Sequence, residues 1–364
     1  MPRASYLAVL AAAVLCYAAL GAVLRLLPAL VDDPLALGLL VGAPALTAVV
    51  TRPGGGGLAD RIAPAPVMFA GAALMAAGVV PALAWSADGA LLCSRLVVGA
   101  GEGVMMAAAV LWLLRLAGPA RRGQALGHIG LANYAGLTVG PLLASALGLA
   151  RGPVFVAAAL LPIAGVLVAI GAQRPDAQPS PDAQRGELAS ILVPGLALML
   201  VNVGYVALLA FGGAAAGTAA VIPVFAAGVV AVRTFGATVP DRLGGRRTIL
   251  LATPLAAAGL LATGLGGTPG IALAGTVLLA AGQGLFVPAL GLLALSRVSP
   301  ERHGTAAGLF FAFFDAGVGA GGPLAGGVAR LTTPAGALVV AAGAVTAAGL
   351  LAGRPFGRGG RPGA

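Results

Sequence analysis

The chain has 364 residues, of which 59% are apolar and only 9% charged, and a formal net charge of +10. A soluble domain carries about 25% charged residues, so most of this surface cannot face water. The 21 basic residues are all Arg and fall mainly in alternate polar segments rather than one patch, which argues for membrane topology and against nucleic acid.

Apolar segments of bilayer length recur along the chain, each about 20 residues or longer. The first six are expected near 5–30, 35–56, 66–86, 90–115, 123–149 and 153–172. The first runs to about Leu30, too long for the apolar core of a cleaved signal, so it reads as an uncleaved span. Residues 173–190, rich in Pro, Gln, Asp and Arg, follow as a polar linker. Six more spans are expected near 191–212, 216–238, 248–266, 270–295, 303–329 and 334–353.

The two sets of spans are copies. A shift of 181 residues lays Arg52 on Arg233, Asp60-Arg61 on Asp241-Arg242, and Gly101-Glu102-Gly103 on Gly282-Gln283-Gly284. The expected fold is therefore an all-α polytopic membrane protein, with twelve transmembrane helices in two pseudo-symmetric six-helix halves. The halves are residues 1–172 and 191–364, the second ending in a short basic tail; residues 173–190 form a cytoplasmic linker. Arg3, Arg61, Arg121, Arg122, Arg242, Arg246, Arg247 and Arg354 share one side, whereas Arg151 and Arg330 fall on the other. By the positive-inside rule both termini lie in the cytoplasm, with the protein multi-pass in the inner membrane.

The short loops leave no room for an extramembrane catalytic domain, so an enzyme is not expected. The run Gly54 to Gly57 lacks the Lys-Ser/Thr of a phosphate loop and continues into Leu58-Ala59-Asp60-Arg61. Cys16 and Cys93 lie within spans without ligand spacing. His128 and His303 stand near span entrances and read as interfacial residues, so neither a metal nor a cofactor is expected.

Gly56-Gly57-Leu58-Ala59-Asp60-Arg61, between the second and third spans, resembles the signature loop of the major facilitator superfamily. Asp241-Arg242-Leu243-Gly244-Gly245-Arg246-Arg247 repeats it, with Ala63-Pro64-Ala65 replacing the usual Gly and basic pair in the first copy. The resemblance covers the whole chain, and it implies a cytoplasmic gate at Asp60, Arg61, Asp241, Arg242, Arg246 and Arg247. An Asp at a helix end can accept hydrogen bonds from a facing helix N-terminus, while the Arg pairs with a neighbouring acid.

In the fourth span, Arg95 precedes Gly99, Gly101, Glu102 and Gly103, similar to the superfamily's Arg-bearing motif associated with proton coupling. Arg95 and Glu102 share a helix face, separated by about 10 Å of rise. A charge at mid-bilayer costs about 2.5–3.5 kcal/mol, so both should face a cavity or a partner. Arg25 lies at a depth similar to Arg95, and Asp315 at a depth similar to Glu102. Burial favours a neutral carboxyl and a nearby Arg favours the carboxylate. Glu102, tuned by Arg95, is thus the expected proton site, with Asp315 second. The resemblance further implies a pathway lined by the first, fourth, seventh and tenth spans, hence by Arg25, Asn202, Tyr205 and Gln283.

Gly136-Leu137-Thr138-Val139-Gly140-Pro141 looks like the fifth-helix signature of the superfamily's drug and sugar antiporters. Gly136, Gly140 and Pro141 would then serve helix packing during rocking. The span bearing Asp315 and Gly322-Pro323 resembles the arabinose-efflux-permease-like branch. The expected protein is a proton-coupled exporter of a small organic molecule, such as a drug, natural product or sugar, acting as a monomer in the lipid bilayer. One rival is an uptake symporter in which Arg25 and Arg95 bind an organic anion; the other is a non-transporting scaffold or sensor.

Overall fold

Lipid offers the main chain no hydrogen-bond partner, so each apolar segment must satisfy its N–H and C=O groups within itself as a helix. The computed structural model describes residues 3–85, 87–118, 121–172, 189–236, 238–296, 298 and 303–354; among them there is no strand. The first six helices are α1 (Arg3–Leu26), α2 (Pro34–Ile62), α3 (Pro64–Gly78), α4 (Asp88–Ala117), α5 (Arg122–Ala146) and α6 (Arg151–Ala169). The second six are α7 (Leu192–Ala207), α8 (Val221–Phe235), α9 (Gly245–Leu265), α10 (Pro269–Leu295), α11 (His303–Leu331) and α12 (Pro334–Gly353). Short turns extend α1 over Leu27–Ala29 and α3 over Val80–Ala84, and a widened turn at Leu208–Gly212 carries α7 on to Ala216. Among the described residues eleven helices are long and apolar enough to cross a bilayer, and α8 is a shorter apolar one. Of the expected linker, residues 173–188 lie outside the described residues, as does the basic tail from residue 355.

Three helices begin at the same end of the bundle with an N-cap side chain followed by Pro. Asp33, Thr268 and Thr333 accept from the N–H of Ala36, Ile271 and Gly336, ahead of Pro34, Pro269 and Pro334. The cap satisfies a free donor, and Pro fits where none is needed.

The second and eighth spans depart from expectation. Helix α2 does not stop near residue 56 but continues through the Gly run to Ile62, so the motif containing Asp60 and Arg61 is helical and not a loop. Gly is a poor helix former. Tertiary contact overrides that preference: Gly55 lies directly against the backbone of Val104 in α4. In the second copy the helix breaks at Gly236 and resumes as Val239–Leu243. Both copies then turn through one residue of positive φ, Ala63 at 103° and Gly244 at 79°, each with ψ 151°. This region is essentially reserved for Gly, so the first copy carries backbone strain that the second avoids.

Packing follows the duplication. In the first half α1 packs on α5 and α6, α4 on α2 and α3, and α3 on α6; each pairing recurs six helices later. Between halves, α2 packs on α11 and α5 on α8. Small residues make these approaches possible where lipid gives no hydrophobic drive. A Cβ at Gly38 or Gly42 would collide with the α11 backbone at Gly319 and Gly322. That seam closes the bundle at the end holding Asp33, where Arg330 of α11 also reaches Asp33 at 3.6 Å.

Candidate functional site

Arg52 extends from α2 to two buried acids on different helices. Its Nη2 donates to both carboxylate oxygens of Glu102 in α4 at 3.2 Å. Its Nη1 lies 2.8 Å from Oδ2 of Asp315 in α11. Tyr17 of α1 donates its hydroxyl to Glu102 Oε1 at 2.9 Å. Glu102 and Asp315 are 6% and 5% exposed. An isolated buried charge would cost several kcal/mol, and one planar guanidinium bridging both acids offsets much of that cost. The bridge crosses from one half to the other, since Arg52 and Glu102 belong to the first and Asp315 to the second.

The duplication builds the same figure a second time from different chemistry. Shifting by 181 residues carries Arg52 to Arg233, Glu102 to Gln283, and Tyr134 to Asp315. Arg233 of α8 crosses to α5, its guanidinium 4.7 Å from the Tyr134 ring centroid, a cation–π contact. It forms no ion pair among the described residues, and its Nε is buried without a partner. Gly130 makes room for it, because a Cβ there would lie 2.6 Å from Nη1. Tyr134 and Gln283 approach each other side chain to side chain without reaching hydrogen-bond geometry. Tyr205 lies 6.2 Å from Tyr134 and 5.7 Å from Phe225, ring centre to ring centre, which completes an aromatic wall.

Of the expected site residues, Glu102 and Asp315 meet at one cation, but that cation is Arg52 and not Arg95. Arg95 is buried, and its Nε donates to the carbonyl of Leu40 at 3.0 Å. Pro44 explains the choice: lacking an N–H, it leaves the Leu40 carbonyl without a helical donor, and Arg95 supplies one. Arg95 lines a small cavity with Ser94, Val23 and Met75, away from the acids. Arg25, in the last turn of α1, is half-buried and takes no part in the cluster. Asn202 and Gln283 are buried at 0% and 1% exposure, and Tyr205 at 4%. Asn202 donates to the Leu198 carbonyl at 2.7 Å, leaving its own Oδ1 without a partner.

Of the expected gate residues, Asp60 and Arg246 make contacts within their own halves. Asp60 pairs with Arg115 of α4 at 3.0 Å, not with an arginine of its own motif. Arg246 donates to the Gly353 carbonyl at the end of α12 at 2.7 Å, while Arg61, Asp241, Arg242 and Arg247 are exposed. Gly136 and Gly140 press α5 against Tyr17, Ala18 and Ala22 of α1, and Pro141 rests against Gly21. His128 bonds the Tyr6 hydroxyl at 2.9 Å; the side chain of His303 lies outside the described residues. Arg52, Tyr17, Arg233 and Tyr134 join the site only in the structure. The repeat itself held the signal for two of them: Arg52 and Arg233 are charges inside apolar spans at matching positions.

Residues 7–235 match the model of the Major Facilitator Superfamily. The chain belongs to that superfamily. An uncharacterized MFS-type transporter of Salmonella typhimurium is 31% identical over 344 residues, with 87% of each chain covered. One from Burkholderia mallei is 30% identical over 343 residues, covering 86% of this chain and 83% of the relative. Among solved structures, the human organic anion transporter MFSD10 (TETRAN) superposes with a TM-score of 0.75 at 20% identity, covering 97% of this chain and 100% of that one. The nucleoside transporter NupG superposes with a TM-score of 0.76 at 14% identity, covering 95% and 98%. As a facilitator-superfamily member, this chain is a multi-pass membrane transporter and not an enzyme.

Proposed function

We propose that this transporter exports a small organic molecule in exchange for protons, by alternating access of its two halves (residues 1–172 and 191–364, linked by 173–190). The observation that carries the reading is the Arg52 bridge between Glu102 and Asp315. It ties the halves together through α2 and α11, and its strength depends on the charge of two acids. A proton on Asp315 removes one arm of the bridge, and a proton on Glu102 removes the other. The proton on Asp315 weakens the contact between α2 and α11 that the small-residue seam otherwise favours, while the proton on Glu102 loosens the hold of α4 on Arg52. With both acids ionised and the Asp33 end closed, the protein is arranged to accept substrate from the opposite end. Proton entry from outside then releases it.

The end holding Asp60 is assigned to the cytoplasm of a bacterial inner membrane, with both termini there, because the basic residues concentrate on that side. Asp60–Arg115 and Arg246–Gly353 hold the inner ends of each half rigid during rocking. The export direction rests on the Gly136, Gly140, Pro141 pattern, whose glycines press α5 onto α1. Arg95 positions α2 against α4 through Leu40, and the protein works as a monomer.

The test uses everted membrane vesicles holding an inward-acid pH gradient, challenged with a panel of drugs, sugars and organic acids. Export by exchange predicts proton release on addition of a transported compound, abolished in Glu102→Gln and Asp315→Asn. Movement of compound and proton in the same direction would instead make the protein a symporter. Undiminished coupling in both variants would remove the acids from the mechanism.

A further inference from the structure

The cluster around Arg233 has more hydrogen-bonding capacity than the protein uses. Arg233 has no acid among the described residues, and its Nε, like that of Arg52, is unpartnered. Both amide atoms of Gln283 and the Tyr134 hydroxyl are also buried without partners. Buried polar atoms are normally satisfied, and a concentration of exceptions points to a missing ligand. The missing ligand's charge follows from the duplication. At the matching positions in the other cluster, Arg52 is neutralised by the carboxylates of Glu102 and Asp315. Here Gln283 and Tyr134 supply neutral donors, so the Arg233 guanidinium retains its positive charge. No acid among the described residues supplies its countercharge, which leaves that place to a bound anion. The wall beside it is aromatic, with Tyr205 and Phe225 at 5.7 Å between ring centres.

From this we infer that the transported substrate is an organic monoanion with a flat apolar body, bound with its carboxylate or sulfonate at Arg233. The anionic oxygens accept from the guanidinium, the Tyr134 hydroxyl and the Gln283 amide, and the body lies along Tyr205 and Phe225. The substrate anion thus occupies in the second cluster the place that a fixed carboxylate occupies in the first. Arg233 and Tyr134 come from opposite halves, so a bound anion touches both sides of the moving interface. The inference rests on the transport reading above and specifies its substrate class; the site also differs from the Arg25 and Arg95 pair of the rival uptake reading.

Equilibrium binding to the full chain in lipid nanodiscs tests it, with 1-naphthoate and 1-naphthalenesulfonate as anions and 1-naphthamide as the neutral isostere. The wild type should bind both anions and discriminate against the amide. Because hydrogen bonds to a charged group contribute about 1.5–3 kcal/mol, Arg233→Gln should weaken anion binding by about tenfold to a hundredfold. Arg233→Lys, which keeps the charge and loses the planar fork, should fall between. The comparison of anion with amide on the wild type needs no variant, so a folding defect in either substitution leaves the test intact. Failure of the wild type to bind either anion, or equal binding of 1-naphthamide, overturns the inference, as does full affinity in folded Arg233→Gln. The two proposals fail separately. Proton-coupled flux of neutral compounds without anion binding sinks the substrate class alone, whereas Arg233-dependent anion binding without proton-coupled flux sinks the exchange mechanism alone.

Discussion

The two copies of one arginine differ in what answers their charge. Arg52 meets two carboxylates, and with both ionised that cluster carries one net negative charge. Arg233 meets the Tyr134 ring, with the Gln283 amide beside that tyrosine, and among the described residues its cluster carries one net positive charge. Both arginines cross between halves, one from α2 to α11 and the other from α8 to α5. Duplication thus supplied two equivalent inter-half contacts, and substitution at two matching positions made one titratable and left the other permanently cationic. The difference shows how a symmetric scaffold can separate a proton site from a substrate site: similar backbone positions, opposite residual charge.

The most disruptive way to break this comparison is Arg52→Gln. It strands two buried carboxylates, and removing one partner of a buried pair costs about 3–5 kcal/mol. Thermal unfolding in nanodiscs should show a large loss of stability, partly recovered in the triple variant that adds Glu102→Gln and Asp315→Asn. The hinges offer the next largest effect. Gly244→Ala should destabilise the chain by about 1–3 kcal/mol, and Ala63→Gly should stabilise it, because the same backbone conformation is strained only with a Cβ. Opposite shifts in melting temperature would establish that the copies share a hinge; shifts of one sign would refute it.

Gln283→Glu sharpens the comparison by making the second cluster more like the first. The new carboxylate neutralises Arg233, so affinity for 1-naphthoate should fall by about tenfold or more while the protein stays folded. Retained affinity would mean that Arg233 does not hold the anion. The smallest effect is expected from Tyr134→Phe, which keeps the ring over Arg233 and removes only the hydroxyl. A neutral hydrogen bond contributes about 0.5–1.5 kcal/mol, so binding should weaken by only a few fold with no loss of melting temperature.

Much of the fold was legible because lipid forces each apolar segment into a helix of known length, and because the copied motifs revealed the repeat. Its errors lay where local preference met tertiary contact. The sequence ends the second span near residue 56, within the Gly run, but Gly55 packs against Val104 of α4 and the helix continues to Ile62. At the site, Glu102 and Asp315 stood out because a carboxylate within an apolar span must have a partner. The identity of that partner was hidden. Spacing along one helix favoured Arg95, but Pro44 leaves a free carbonyl at Leu40 that takes its Nε, and the acids turn to Arg52.

By itself the sequence determined the helical class and the twofold internal copy, since these depend on hydropathy, length and repetition along one dimension. Only the tertiary structure decided which charges answer one another. Arg52 and Asp315 are neighbours because small residues let α2 and α11 touch, and no periodicity in either helix encodes that approach. The same holds for Arg233 and Tyr134: a guanidinium and a ring on separate halves become one site only when Gly130 lets α8 close on α5.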